Sequence, residues 1–250
     1  VIQHKDKRKI LIYDIETTPL VSYTWGLWEQ NVIKVKEDWH LLSFAYKWVG
    51  DTNVTVKALP MYKGYLKNKN DDKALCEDLW KLFDEADVLV AHHGDSFDMK
   101  KSNARFIIHG MTPPSPYKTI DTKKVAKKYF KFESNKLDDL GKYLGLGEKL
   151  PTGGFDTWLG CMAGDMKMWA KMVKYNRQDV VLLEKVYLRM RDWMTNHPRT
   201  SDNPISSTCP NCNGTHLQRR GVTRNKVTTL QRLMCIDCGS WHSVRLTSEN

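Results

Sequence analysis

Ile10 to Pro19 reads Ile-Leu-Ile-Tyr-Asp-Ile-Glu-Thr-Thr-Pro, an apolar β run that carries two acids, Asp14 and Glu16, two residues apart. Side chains alternate across a strand, so the two carboxylates share one face. Held side by side at the end of a buried strand, they repel each other and each loses hydration. A divalent cation is the usual remedy. The segment therefore calls for a sheet with an apolar interior and a charged end, and for further ligands elsewhere in the chain. An Asp-x-Glu triplet alone appears by chance roughly once in a chain this long, so its surroundings carry the weight.

Those surroundings alternate in period. Leu41 to Trp48 and Val54 to Leu59 read as strands joined by a turn at Gly50-Asp51-Thr52-Asn53. Asp71 to Ala86 has helical spacing, with Leu75, Leu79, Leu82 and Phe83 on one side. Asp87 to His92 reads as a short buried strand, Phe97 to His109 as a helix, and Tyr117 to Ile120 as another strand. Asp121 or Thr122 caps the helix that follows. Asn135 to Leu144 is helical and stops at Gly145, Pro151 to Gly154 is a loop, and Asp165 to Thr195 is helical as one helix or two. Val21 to Trp28 is a connection rich in aromatic residues. The order predicts an α/β fold, a mixed sheet flanked by helices.

The chain has 250 residues, 41% hydrophobic and 27% charged, enough for one substantial domain and a small one. The polar, proline-bearing stretch from His197 to Thr208 reads as a linker, so we expect one domain over 1–198 and a second unit over 199–250. There is no apolar run of about 18 residues, hence no expected membrane span. The basic, polar start is unlike an export signal, and position 1 is Val, not Met. Six cysteines without such a signal point to a reducing compartment, where paired cysteines hold metal more often than they form disulfides. A cytoplasmic location is expected. The net charge of +10 favours a polyanionic partner. From position 199 onward there are seven Lys/Arg against three Asp/Glu, so both parts are basic.

Two further acidic positions stand out. Val88 to Asp98 is a buried strand running through a Gly turn into a helix start, and Asp98 sits in that helix's first turn, where an acid also favours the helix dipole. Tyr175, Asp179, Leu183, Val186 and Met190 fall on one helical stripe, and an acid on an apolar stripe is costly unless paired. Four carboxylates without thiols make a hard-oxygen site suited to Mg²⁺ or Mn²⁺. The series Asp14-x-Glu16, Phe97-Asp98 and Tyr175-x-x-x-Asp179 resembles the DEDD superfamily of 3′-to-5′ exonucleases. Lys174 stands where the histidine branch has its His, and Tyr175 matches the tyrosine branch. The resemblance covers Lys9 to Met194 and is strongest to stand-alone, often phage-carried relatives of the exonuclease domain of family-B DNA polymerases. The middle motif lacks the Asn often found before its Phe-Asp; His93 stands nearby.

The resemblance implies a ribonuclease-H-like fold and two-metal hydrolysis of a terminal phosphodiester. Asp14, Glu16, Asp98 and Asp179 would hold two Mg²⁺ or Mn²⁺ ions, and Tyr175 would orient the attacking water. The partner would be single-stranded or frayed DNA, with RNA the lesser expectation, in the company of replication or repair proteins. Stacking aromatics and basic side chains grip such strands. Trp25 and Trp28, Lys124 and Lys128 on one basic helix, Lys136 and Arg105 are candidates, against the plain reading of core tryptophans and solvated lysines.

Cys209-Pro-Asn-Cys212 and Cys235-Ile-Asp-Cys238 form two C-x-x-C pairs with 22 residues between them, the spacing of a structural Zn²⁺ site in a zinc ribbon. Asn213-Gly214 and Gly239 permit the tight turns such a site needs. Arg219, Arg220 and Arg224 lie between the pairs and read as a second nucleic-acid contact. Cys76 and Cys161 read as lone buried thiols, and His216 and His242 as surplus to the metal. Two other classes compete: a structure-selective endonuclease on the same fold, and a non-catalytic nucleic-acid-binding or recruitment module.

Overall fold

The computed structural model of the protein describes residues 8–28, 31–200 and 203–246. Residues 1–7 of the first expected unit, Ser201 and Asp202 of the expected linker, and 247–250 of the second unit lie outside the described residues.

The chain runs β1 (Ile10–Thr17), β2 (Val21–Tyr23), β3 (Lys34–Glu37), β4 (Leu41–Trp48), β5 (Thr55–Ala58), α1 (Lys73–Glu85), β6 (Val88–Ala91), α2 (Asp98–Ile108), β7 (Lys118–Asp121), α3 (Thr122–Tyr129), α4 (Leu137–Tyr143), α5 (Asp156–Ala163) and α6 (Met166–Arg191), then β8 (Leu217–Arg224), β9 (Thr229–Cys235) and β10 (Trp241–Arg245). Five strands form one mixed sheet in the order β5-β4-β1-β6-β7. β1 is central, antiparallel to β4 and parallel to β6, and β7 continues the parallel half. The α/β expectation holds.

The alternation of β1 divides the interior in two. Leu11, Tyr13 and Ile15 face one way, packing with Leu75, Leu79 and Phe83 of α1 and Phe106 of α2. Ile10 and Ile12 face the other, packing with Ala126 of α3, Leu140 of α4 and Val180, Leu183 and Val186 of α6. Asp14 and Glu16 continue the second face by the same period of two, so they point to the side that α6 covers. Gly141 lets α4 approach closely: a Cβ there would stand 2.9 Å from the Leu182 side chain and closer still to the Gly147 carbonyl.

Of the two alternatives for 165–195 the structure has the single helix, Met166–Arg191, of 26 residues, with a separate short helix, α5, before it. Two expectations need correction. Val21 to Trp28 is not a bare connection, because Val21–Tyr23 pairs with Lys34–Glu37 as a small hairpin. The described part of His197–Thr208 is no free tether. His197 stacks on Tyr187 and hydrogen-bonds its hydroxyl at 2.8 Å, while Thr200 accepts from the Arg8 amide and donates to the Pro210 carbonyl, both at 2.9 Å.

Arg105 is also corrected. Its guanidinium grips the fully buried Asp72 through Nε at 2.8 Å and Nη2 at 2.5 Å, and His109 and the Leu41 amide complete that carboxylate's partners at 2.7 Å each. The arginine is spent inside the fold and is not a phosphate contact. Burial alone would raise the Asp72 pKa, but Arg105, the Leu41 amide and His109 together hold it below its usual value. Asp72→Ala strands a buried cation, which costs about 3–5 kcal/mol. The melting temperature is expected to fall by roughly 10 °C for a chain of this size; a thermal melt within a degree or two of the parent would refute this account of the cluster.

Candidate active site

The three acidic positions meet at the carboxyl ends of β1 and β6. Carboxylate oxygens of Asp14, Glu16 and Asp179 all lie within 4.8 Å of one another. Asp98, at the first turn of α2, is 3% exposed and accepts a hydrogen bond from the Ile15 amide at 3.2 Å, which ties it to the strand between the two acids. The turn that delivers it holds His93 at φ 69°, a left-handed conformation that His and Asn tolerate better than most residues. His93 therefore stands at a position where the Asn of related motifs would also be comfortable. Its amide donates to Asp121 at 2.9 Å, and the same oxygen caps α3 by accepting from the Lys123 and Lys124 amides, so Asp121 is the cap.

α6 supplies the opposing wall. Asp179 is 1% exposed, with one oxygen 2.6 Å from the Lys149 ammonium and the other without a partner. Lys149 also donates to the Tyr175 hydroxyl at 3.0 Å. Between these two residues on the helix, fully buried Asn176 donates to Asp14 at 2.7 Å and accepts from Ser43 on β4 at 3.0 Å. Trp158 of α5 lies edge-on to Tyr175 at 6.2 Å, and its indole slightly offsets the upward shift of the Glu16 pKa. Lys149, Asn176 and Trp158 escaped the sequence reading. Asn176 left a signal, a polar residue on a buried helical face. Lys149 left none, because it comes in on a loop bent by Gly145 and Gly147 at φ 67° and 113°.

Four acids and one lysine leave the site strongly under-neutralised. Burial, then mutual repulsion, lifts the acids. Asp14 is raised well above the usual range by burial and by Asp98, Glu16 and Asp179; Glu16 is pushed to about 8 by burial and Asp179. Burial carries Asp98 to about 7, and Asp179 is likewise raised by burial against the pull of Lys149. Burial and the Asp179 charge keep the Tyr175 phenol protonated well beyond its usual range. A largely enclosed all-oxygen donor set, Asp14 and Glu16 half-buried and Asp179 buried with an orphaned oxygen, suits a hard divalent cation. His92, its pKa lowered to about 4 by burial, bonds Thr122 at 2.9 Å.

The other candidates are scattered. Trp25 and Trp28 are 93% and 86% exposed between β2 and β3, not in the core. Lys124 is paired with Asp95 at 2.7 Å, Lys128 lies 5.0 Å over the Tyr129 ring, and Lys136 is exposed at the head of α4. Arg219, Arg220 and Arg224 are exposed along β8, an edge of the three-stranded sheet β10-β9-β8. Below that sheet the sulfurs of Cys209, Cys212, Cys235 and Cys238 cluster within 4.8 Å, with Sγ–Sγ distances of 3.8 Å and 3.6 Å across the two pairs. Tetrahedral Zn–S bonds imply about 3.8 Å between sulfurs, and the cluster is compatible with a small zinc module. The Asn211 and Gly214 amides point at Cys209 and Cys212 at 3.4 Å, with Asn213 and Gly239, not Gly214, taking the left-handed φ. His216 bonds Asp237 and His242 bonds the Ile205 carbonyl, away from the sulfurs. Cys76 and Cys161 are buried.

Among the described residues, no helix is long and apolar enough to cross a membrane. The family model of the RNase H superfamily matches residues 11–191. A solved family B DNA polymerase from the hyperthermophilic archaeon Pyrobaculum calidifontis is similar in fold, with a TM-score of 0.54 at 15% identity over 74% of this chain. The match spans only 25% of that polymerase's length. No curated protein matches the sequence.

Proposed function

The chain belongs to the RNase H superfamily, and from that premise we propose that it is a metal-dependent 3′-to-5′ exonuclease of the tyrosine branch, acting on DNA in preference to RNA. The observation that carries the reading is the convergence of Asp14, Glu16, Asp98 and Asp179 beside Tyr175, with one Asp179 oxygen unpartnered. Similarity in fold to a family B polymerase is in keeping with it.

In this reading Asp14, Glu16, Asp98 and Asp179 would hold two Mg²⁺ or Mn²⁺ ions, which when bound would supply an activated water and charge stabilisation for the departing 3′ oxygen. Tyr175 stays protonated, so it orients that water and takes no proton from it. Lys149 fixes the Tyr175 hydroxyl and one oxygen of Asp179, leaving the other oxygen for a ligand. Asn176 holds Asp14 against the helix. The exposed rings of Trp25 and Trp28 stack on bases of the strand entering the site. The chain divides near residue 198 into this catalytic unit and a zinc ribbon, in which Cys209, Cys212, Cys235 and Cys238 hold one structural Zn²⁺ and the β8 arginines touch nucleic acid.

The test is digestion of linear single strands, free or blocked at 3′, and of a circular strand, with Mg²⁺ and with Mn²⁺. Stepwise release of mononucleotides from free 3′ ends alone is expected. Cutting of the circle would make it an endonuclease, and no cutting of any strand would refute the enzyme.

Protonation of the acids competes with metal. With Glu16 near 8 and Asp98 near 7 in the metal-free state, each ion that binds must displace protons at neutral pH. The Mg²⁺ concentration for half-maximal activity is therefore expected to fall about tenfold or more between pH 6 and pH 8.5, the slope approaching one decade per pH unit for each proton displaced. A metal requirement that ignores pH across that window would contradict the raised values.

A further inference from the structure

Two clefts run into each other along the seam between α3, the end of α6 and the cysteine unit. The first, about 430 Å³, follows the edge strand β7 from Asp121 back to Lys118 and is walled by Lys124 and Lys128 of α3. The second, about 410 Å³, lies between Trp193 and Trp241. Met194 and His197 line both, so the two clefts adjoin and together offer one path along the seam.

One end of that groove stops at Asp95 and Asp121, beside the turn that precedes Asp98 and one strand short of β1. Asp121 is tied to the His93 amide, in the turn that delivers Asp98. The other end reaches the outward face of the small sheet. There Trp241 and Arg245 alternate along β10 as exposed residues, and Arg232 lies opposite Ser243 on the same face. Asp179 and Arg191, twelve residues apart on α6, put about 18 Å between the acidic cluster and the end of that helix.

The lining has the chemistry of a single-strand channel. Trp193 and Trp241 leave 63% and 55% of their surface open to solvent. Phe130 braces the Trp193 ring edge-on at 5.5 Å and is itself packed on Phe132. The acids nearby are engaged: Asp95 with Lys124, Asp192 with the Asn211 side chain, and Asp121 through one oxygen with backbone amides, its other oxygen being buried inside the fold. Lys118 and Lys128 are exposed and form no salt bridge among the described residues. The lining itself is balanced, three lysines against three aspartates, but those aspartates are engaged within the fold, which leaves Lys118 and Lys128, with Arg245 beside the groove, facing solvent next to open aromatic faces, an arrangement that suits stacked bases on a charged backbone.

We propose that this groove guides the 5′ portion of a single-stranded nucleic acid from beside the acidic cluster to the cysteine unit, its bases on Trp193 and Trp241 and its phosphates against Lys118, Lys128 and Arg245. The substrate class rests on the nuclease reading; the binding does not need catalysis. The groove makes the cysteine unit a grip on the strand being cut, placed a fixed distance upstream.

The experiment uses the full chain purified with zinc and fluorescein-labelled oligo(dT) of about 4 and about 20 nucleotides, a range that brackets single-strand site sizes. Binding is read by anisotropy without Mg²⁺, turnover with it. Trp193→Ala, Trp241→Ala and the double variant Lys118→Glu/Arg245→Glu are expected to weaken binding and raise KM for the long strand about tenfold each, with kcat on the short strand unchanged. Trp193→Ala loses packing on Phe130, so Trp241→Ala and the charge reversal, both at exposed positions, decide the matter. Undiminished affinity for the long strand in those two variants would overturn the groove, and would leave it to a protein partner. If the parent binds the long strand and the variants do not, yet nothing is hydrolysed, the groove stands and the nuclease reading falls.

Discussion

Replacing Asp14 with asparagine is expected to reduce hydrolysis about a hundred- to a thousandfold, the range lost when a transition-state charge loses its stabilising partner, while making the metal-free protein more stable. The two effects share one cause. In the folded state burial raises the Asp14 pKa well above the usual carboxylate range, and the charges of Asp98, Glu16 and Asp179 push it the same way. A carboxyl raised on folding binds its proton more tightly in the folded chain, so its favourable share is present at low pH and lost as pH climbs through the folded pKa. Near pH 7 the Asp14 carboxylate therefore works against the fold until a cation arrives. Asparagine keeps the shape, can still meet Asn176, and carries no charge. For a chain of this size each kcal/mol relieved lifts the melting temperature by roughly 2–4 °C. Paired thermal melts with and without Mg²⁺ check it: the parent should gain far more from the ion than the variant. A variant that melts earlier than the parent without metal, or cuts as well with it, would remove Asp14 from the site.

Stripping zinc is expected to unfold the C-terminal unit while the larger part stays folded. Among the described residues from Cys209 onward, Leu233 is the one buried aliphatic side chain; the other buried apolar residues are Cys209 and Cys235. Such a piece has almost no core of its own, and structural zinc in small modules supplies about 10–16 kcal/mol of apparent binding energy at neutral pH. Chelation followed by Mg²⁺ add-back should free four thiols to a colorimetric reagent, remove the β signal of the small sheet, and preserve cutting of very short strands. A unit that keeps its structure and its thiol protection after zinc is shown to be gone would disprove the assignment.

The acids and cysteines were legible because each carries its signal locally. Asp14 and Glu16 interrupt an apolar strand, Asp179 interrupts an apolar helical stripe, and the cysteines come as two pairs. The mixed sheet was legible because period-two and period-3.6 segments alternate. What failed depends on partners far along the chain. Arg105 looked like a free cation on a helix, yet its use was fixed by Asp72, 33 residues earlier. Lys149 arrives on a glycine-bent loop that no pattern announces. The β2–β3 hairpin has strands of three and four residues that are largely exposed, so it offers no buried alternation to read. α5 is a short helix of eight residues holding Gly160, too brief to display a stripe.

The unbroken α6 has one more effect. It carries Asp179 near its middle and, just past its end, Asp192, to which Asn211 of the cysteine unit is hydrogen-bonded. An α-helix converts residue count into both length and angle, so this stretch behaves as a screw thread between the acidic cluster and the cysteine unit. One residue inserted between Asp179 and Arg191 would advance the small unit by about 1.5 Å and swing it about 100° around the helix axis. Relatives that keep the small unit in the same orientation should therefore conserve the length of this stretch more strictly than its sequence.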